Sequence, residues 1–456
     1  MATHQRLIGG RHYPWVVVAL LWFCGFFNYA DRQAVNAVFP KLQKEFNLSD
    51  TQLGWVGSSF MIVYALSGPL SGFVVDRVSR RHLVALGLGF WSLIAAGTGL
   101  ARSFGQLLFF RAAEGLGESF YFPASMSLMS DYHGPKTRSR AMSIHQTSVY
   151  AGIIGGSIFA GVLADRYSWR IPFFLLGGVG AVYAFYLYFV LIEPMRGKVD
   201  QSEARRNDPD FSEWKKPRFR DVLNGLLDNP AALALIAAFL CANFVTMALL
   251  TWLPLYVGRM FDLGGFRNNF TATVYIQTSS FVGVLIGGYL ADKASQRLRG
   301  GRMIVQGLGL LWAAPFVYWI GTARTESSLA WALIGVGIGK GTYESSIFAS
   351  LYDVIPAEIR GTAAGLMNTV AWLGGSLAPV MIGYTSKSLG LSVAIGSTSA
   401  VYVVGGAIAI LASRLVRVSG KVTALDEAVD LQLSKPEIAA LDPPWSKPAD
   451  EELPKY

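Results

Sequence analysis

The feature that most constrains this chain is the recurrence of apolar blocks about 20 residues long, the length an α-helix needs to cross about 30 Å of hydrocarbon. Twelve such segments lie near residues 14–38, 53–75, 82–101, 104–130, 139–164 and 170–192, then 230–257, 270–292, 302–322, 327–352, 361–385 and 391–415. The composition agrees, with 52% hydrophobic and 15% charged residues, against about 25% charged in an ordinary soluble chain. The expected fold is an all-α membrane protein of twelve transmembrane helices in two six-helix bundles, residues 1–192 and 230–417. Between them, residues 193–229 carry eight Lys/Arg and eight Asp/Glu and read as a solvated connector. Residues 418–456 read as a polar, proline-bearing tail.

The first apolar block follows Arg6 and Arg11 with no small-residue cleavage site behind it, so it reads as a retained span. Cys24 and Cys241 each sit inside an apolar block and read as small hydrophobic side chains. The net charge of +9 resides in the turns between spans, which argues against nucleic acid as a partner. An even number of spans puts both termini on one side. With that side taken as the cytoplasm, 27 of the 39 Lys/Arg fall inside and 9 outside. Without the connector and the far tail, which carry little topogenic weight, the count is 16 against 9. Both termini are therefore expected on the cytoplasmic face of a cytoplasmic (inner) membrane.

The halves repeat. A shift of 222 residues brings Gly115, Gly117, Tyr121, Asp131 and Arg138 onto Gly337, Gly339, Tyr343, Asp353 and Arg360. A shift of 216 brings Gly72 and Asp76 onto Gly288 and Asp292. Paired halves of this kind mark transporters that rock around a central site near the membrane midplane. The same register sets Glu118 opposite Lys340, either as an ion pair between halves or as a coupling acid facing a substrate-reading base.

Ionisable groups within a span cost at least about 2.5–3.5 kcal/mol each and normally face a polar cavity. Here they are Asp31, Arg32, Arg111, Glu118 and Lys340, with Glu114 and Glu344 beside them. Arg111 and Glu118, seven residues apart, share a helix face at about 10 Å along the axis, too far for a backbone-held contact. Arg111 is a fixed anion reader whose planar fork suits a carboxylate or phosphate. A carboxyl such as Glu118, balanced between desolvation and a nearby cation, can load a proton on one side and release it on the other. Asp31 reads as a second protonation site, a latch to the fourth span, or a structural partner of an arginine. Arg32 and Tyr29 are expected to line the cavity. Lys340 and Glu344, one turn apart, can also simply neutralise each other. Tyr64, Asn368 and Trp372 are candidate wall residues, as are His145, Gln146, Asn243 and Gln277.

The loop after the second span, Gly72-Phe-Val-Val-Asp76-Arg77-Val-Ser79-Arg80-Arg81, resembles the signature loop of the major facilitator superfamily, and Gly288 with Asp292 looks like its weaker second copy. The resemblance covers residues 14–417 and implies the major facilitator fold, with Asp76, Arg77, Arg81 and Asp292 acting in gating. Asn28-Tyr29-Ala-Asp31-Arg32 and Arg111-x-x-x-Gly115-x-Gly117-Glu118 resemble the anion:cation symporters, the carriers of organic anions and sugar acids, and equally the Spinster-type lipid carriers. Both branches imply proton coupling at Asp31 and Glu118 and anion binding at Arg111. Phe122-Pro123-Ala124, Tyr64 and Thr251-Trp252-Leu253-Pro254 tilt the resemblance toward the organic-anion carriers. Val149 and Trp372 depart from the sugar-acid pattern and argue against a heavily hydroxylated substrate.

Other classes find less support. Gly339-Lys340-Gly341 lacks the upstream glycine and the following Ser/Thr of a phosphate-cradling loop, so an ATP-driven pump is not expected. None of the five histidines has metal-ligand spacing on a span, so neither a metal site nor an enzyme is expected, and no cofactor is implied. The expected activity is proton-coupled, inward symport of a small organic anion by a monomer that alternates access across the membrane. The alternative is Spinster-like movement of a lysophospholipid or other amphiphilic lipid, its headgroup at Arg111. Substrate contacts are expected from Arg111, Arg32, Tyr29, Tyr64, Lys340, Asn368 and Trp372.

Overall fold

A computed structural model describes residues 12–75, 77–133, 135–194, 219–355 and 360–416. Every regular element among them is an α-helix. The first half comprises α1 (Tyr13–Ala37), α2 (Phe39–Phe46), α3 (Asp50–Val75), α4 (Arg80–Thr98), α5 (Phe104–Ser119), α6 (Tyr121–Tyr132), α7 (Pro135–Arg166) and α8 (Ile171–Val190). The second comprises α9 (Phe219–Leu227), α10 (Pro230–Phe261), α11 (Gly264–Ser295), α12 (Gly301–Thr322), α13 (Glu326–Glu344), α14 (Ile347–Tyr352), α15 (Arg360–Leu389), α16 (Leu391–Ser397) and α17 (Ser399–Leu415). Each expected span coincides with one helix or with a broken pair. Asp76, most of the connector and the tail beyond Val416 lie outside the described residues.

Three spans are broken pairs: the twelfth is interrupted at Thr398, and the fourth and tenth break alike. In the fourth and tenth the pattern repeats. Each opens with a hydroxyl cap, Ser103 accepting from the Gln106 amide and Thr325 from the Ser328 amide, and these caps are themselves 222 residues apart. Each then breaks just beyond its buried charges, at Phe120 and at Ser345–Ser346. Hydropathy and length alone mark nine of the described helices as membrane spans, and α5 and α13 are not among them. α5, broken at Phe120, is only 16 residues long.

Within the first half α1 packs on α7, α3 on α5 and α4 on α8; in the second, α11 packs on α13 and α12 on α13 and α17. The halves meet along α3/α15, α7/α11 and α1/α10. Tyr13 at the start of α1 donates to Val190 O at the end of α8, at 2.9 Å, so both ends share one face, called here the terminal face.

The α3/α15 seam is a wedge. Near the opposite face the two backbones touch: a Cβ on Gly54 would meet the Pro379 carbonyl, and one on Gly383 would meet the Asp50 carbonyl. Halfway along, Tyr64 and Trp372 hold their ring centroids 4.9 Å apart. Further on, a Cβ on Gly68 would stand 3.5 Å from Thr369, and one on Gly72 or Gly365 would meet nothing within 4 Å. Glycine is needed at the touching end because any side chain would force the halves apart. Pro379 interrupts the ladder of α15, and carbonyls beside it take donors from other helices, as buried backbone in a bilayer must. Ser58 donates to Ser376 O at 2.5 Å and Trp252 Nε1 to Pro379 O at 3.1 Å.

Polar latches reinforce the closed end. Arg259 grips Asp50 with two hydrogen bonds of 2.9 and 2.5 Å and also donates to Gln43 at 2.8 Å, while Ser386 donates to Asp50 at 2.9 Å. Across α7/α11, Asp165 accepts from the Gly265 amide, and Ser157 donates to Asn269 at 2.9 Å. The molecule is thus sealed at the face opposite the termini and splayed at the terminal face.

The wedge makes a checkable demand. With Cys24 and Cys241 replaced, a cysteine at Asn36, whose parent residue is 6% exposed, is expected to resist an impermeant maleimide supplied at the opposite face. Adding Gly54→Leu should open the seam and allow labelling. Continued protection would show that close packing at Gly54 does not hold that face shut.

Candidate functional site

The buried charges gather where α1, α3, α5 and α15 converge. Arg32 lies on α1 one turn beyond Asn28, and its Nε is paired with Glu118 Oε2 of α5. Its guanidinium lies 4.7 Å from the Tyr29 ring centroid, 4.8 Å from Phe60, 4.6 Å from Tyr64 and 5.6 Å from Trp372. Arg111 is paired with Glu114, one turn along α5, and its guanidinium also lies over the Phe60 ring, 4.7 Å from the centroid. The aromatic faces stabilise both cations where water cannot.

A cavity of about 50 Å³ opens beside these arginines, lined by Tyr29, Arg32, Gln33, Asn36, Phe60 and Arg111 of the first half and by Met247, Leu250 and Trp372 of the second. Gln33 and Asn36 both donate to Leu250 O across the seam, at 3.0 and 3.4 Å. Among the described residues, two guanidinium nitrogens of this site, Arg32 Nη1 and Arg111 Nε, are buried without a hydrogen-bond partner. Toward the terminal face a second cavity of about 110 Å³ is lined by Tyr64, Ser71, Phe122, Asn368, Thr369 and Trp372. The Tyr64–Trp372 contact stands between the two cavities.

The third acid differs from the other two. Asp31 is 1% exposed, and neither of its carboxylate oxygens has a hydrogen-bond partner among the described residues. It lies within electrostatic reach of Glu114, Glu118 and Arg111, so three carboxyls share two guanidiniums. With Arg32 paired to Glu118 and Arg111 to Glu114, Asp31 is the acid of this cluster left without a cation of its own.

The expected residues therefore divide. Asp31, Glu118, Arg32, Arg111 and Tyr29 come together, while Tyr64, Trp372 and Asn368 stand at the passage above them. Lys340 does not join them: it donates to Glu344 at 2.9 Å and lines a separate cavity of about 20 Å³ in the second bundle, beside Asn243, Tyr343 and Tyr402. Glu118 and Lys340 share a register but each takes a partner from its own half. His145 is occupied by the Tyr121 hydroxyl at 2.7 Å, which itself donates to Leu21 O.

Around the signature loop, Asp76 lies outside the described residues, Arg77 is exposed, and Arg81 is half-buried with its amide donating to Glu193 at 2.8 Å. The residue sequence reasoning passed over is Arg80. It is buried, pairs with Asp131, and reaches Glu193 at 2.8 Å and Ser127 at 3.0 Å. Its counterpart 222 residues on is Arg302, which pairs with Asp353 at 2.7 Å and with Asp292 at 3.1 Å. The repeat that matched Asp131 to Asp353 already held both arginines, and only the missing spatial partner hid them.

The sequence profile of the Major Facilitator Superfamily matches residues 21–379. The chain belongs to this superfamily. It is a multi-pass membrane transporter. It is 27% identical over 393 residues to a probable chloroplastic anion transporter 4 of Oryza sativa subsp. japonica, covering 81% of this chain and 63% of that one, so it spans less than two thirds of that relative. It is 25% identical over 404 residues to the hexuronate transporter of Bacillus subtilis, covering 87% and 92%. It is 28% identical over 395 residues to human protein spinster homolog 1, covering 82% and 73%. The fold matches that of a bacterial homolog of the human lysosomal transporter Spinster, crystallised inward-facing and unoccupied. That match has a TM-score of 0.76 at 21% identity and covers 90% of this chain and 98% of that one.

The two arginine corners should differ in energy. Arg80→Ala strands the buried Asp131 carboxylate and is expected to destabilise by about 3–5 kcal/mol. Arg302→Ala, at a more exposed corner, should lose about 1 kcal/mol or less. Equal melting temperatures for the two variants would contradict this. Glu193, just beyond α8, is raised by partial burial, but the Arg81 amide and the Arg80 guanidinium more than offset this and hold it below its ordinary 4.5. Its contribution is complete above the unfolded value and is lost as pH falls through the folded one. Between about pH 5 and pH 3 the wild type should therefore lose melting temperature faster than Glu193→Gln. Parallel curves would remove Glu193 from the corner.

Proposed function

We propose that the chain is a proton-coupled symporter of a small organic anion, a carboxylate or sugar acid. The observation that carries this reading is the pair of buried, unpartnered guanidinium nitrogens facing a cavity between the halves, Arg32 Nη1 and Arg111 Nε. A buried donor left without a partner is unfavourable by about 1–3 kcal/mol, and a carboxylate entering the cavity relieves two of them at once.

Coupling follows from the Arg32–Glu118 pair. Glu118 carboxylate occupies part of the fork that a substrate carboxylate would take. A proton on Glu118 cancels its hold on Arg32, and the anion then enters as the replacement counter-ion. Proton and anion load together because either alone leaves the cluster with unbalanced charge in a low-dielectric site. Asp31 supplies the adjoining carboxyl that can share the proton, and Arg111, held by Glu114, completes the anion's recognition. Tyr64 and Trp372 close over the loaded site, with Asn368 lining the approach. Lys340 remains with Glu344 in the state described here. The terminal face is taken as cytoplasmic, in keeping with the Lys/Arg bias of the turns, so the splayed state faces inward. The rocking step then releases Asp50–Arg259 and Asp165–Gly265 while the signature-loop corner, with Asp76, Arg77, Arg81 and Asp292, closes. The protein is proposed to act as a monomer in the inner membrane, with no cofactor.

The four rings around Arg32 and the similarity to the human spinster homolog favour a second reading, an amphiphilic lipid such as a lysophospholipid with its headgroup at the same arginines. Counterflow in proteoliposomes separates the two: small carboxylates should exchange under the first reading and stay at background under the second.

Under the first reading, Glu118→Gln should abolish uptake driven by a pH gradient while preserving exchange of substrate against substrate. Uptake at the wild-type rate would exclude Glu118 as the coupling site. Arg32→Lys keeps the charge but loses the fork, and KM should rise about 10- to 100-fold, the range for one hydrogen bond to a charged group. An unchanged KM would take Arg32 out of the binding site.

A further inference from the structure

A larger cavity than that beside the arginines lies elsewhere. A groove of about 700 Å³ runs along the outer surface of the second bundle between α11, α12 and α13, within the range of about 300–1,000 Å³ typical of ligand sites. Ten of its thirteen lining residues are apolar, among them Leu290, Leu308, Trp312 and Ile338. It exists because α12 and α13 approach backbone to backbone at Gly309 and Gly339, where a Cβ on Gly309 would stand 2.8 Å from the Gly339 carbonyl. Neither residue projects a side chain to fill the space beside that contact.

Two cations stand at one end. Lys293 and Arg297, one turn apart, line the mouth of the groove, and both are exposed. Among the described residues neither makes an ion pair; the acids of this corner, Asp292 and Asp353, are engaged by Arg302. The cations lie beside the start of α12 at Gly301, whereas Leu308 and Trp312 lie about 10 and 16 Å further along that helix. That depth equals the hydrocarbon thickness of one leaflet, about 15 Å. Basic mouths on apolar clefts between membrane helices bind anionic headgroups.

We propose that this groove binds an anionic glycerophospholipid from the leaflet at the terminal face, its acyl chain against Leu308, Trp312 and Ile338 and its phosphate at Lys293 and Arg297. The site is separate from the Arg32–Glu118 cavity and independent of which substrate is carried. Binding at α11–α13 stabilises the packing of helices that move as one body when the halves rock.

The test compares phosphatidylglycerol with phosphatidylcholine of identical chains, added to the full-length protein in a neutral detergent, with retained lipid counted by native mass spectrometry and stability read as melting temperature. Wild type is expected to retain phosphatidylglycerol preferentially and to gain several degrees more from it than from phosphatidylcholine. Lys293→Gln/Arg297→Gln should lose about 30-fold in phosphatidylglycerol affinity, the effect of removing two interfacial cations, with phosphatidylcholine binding unchanged. Leu308→Trp, which fills the trough at an exposed position, should weaken retention of both lipids. Equal affinity for the two lipids in wild type overturns the proposal. So does an unchanged phosphatidylglycerol affinity in the double variant, an equal loss of both lipids in it, or the same loss in a control with Lys44→Gln/Arg102→Gln on the other half.

Discussion

Everything in the first bundle is arranged around guanidinium groups in a region where charge is expensive. Arg32 and Arg111 can reside there only because Glu118 and Glu114 reach them along one face of α5 and because aromatic rings, rather than aliphatic side chains, close the remaining directions. That requirement fixes which residues α1, α3 and α5 can present to the centre. A third carboxyl in the same cluster, Asp31, has neither a hydrogen bond among the described residues nor a cation of its own.

The wedge between α3 and α15 opens toward the terminal face above this cluster, with the Tyr64–Trp372 contact between them. Glycine and proline bring the helices into backbone contact at Gly54–Pro379 and Gly383–Asp50, and the same two helices separate by Gly72 and Gly365. Alternation requires the opposite arrangement to be accessible too. The closed end is suited to this because polar latches at its rim, Arg259 with Asp50 and Asp165 with the Gly265 amide, exchange readily for water. The arginine corners at Arg80 and Arg302 lie within single halves.

Much of this was legible in the residues. The twelve spans follow from hydrophobic length, the halves from matches at a constant shift, and the intramembrane charges stand out against their surroundings. The partners did not follow. A shared helix face suggested that Arg111 and Glu118 act together, yet the seven-residue interval holds them apart and each finds a nearer group, Glu114 one turn away and Arg32 on α1. For Lys340 the sequence left two readings open, and the structure takes the one-turn pair with Glu344, since i,i+4 proximity within one helix outweighs pseudo-symmetry between halves. Arg80 was overlooked because its value lies in burial beneath Asp131 and Glu193, which no linear spacing expresses.

The sequence by itself determined the solvent this protein folds in, the number and repeat of its helices, and which charged residues must be accommodated between them. These are properties of hydrophobic length and of composition at given positions, and both are local. Only the tertiary structure decided which carboxyl meets which guanidinium, where the halves touch and where they part, and that a deep apolar groove lies on the outside of the second bundle. Such outcomes depend on distances between helices remote in the chain, and those distances are set by the packing of all of them at once.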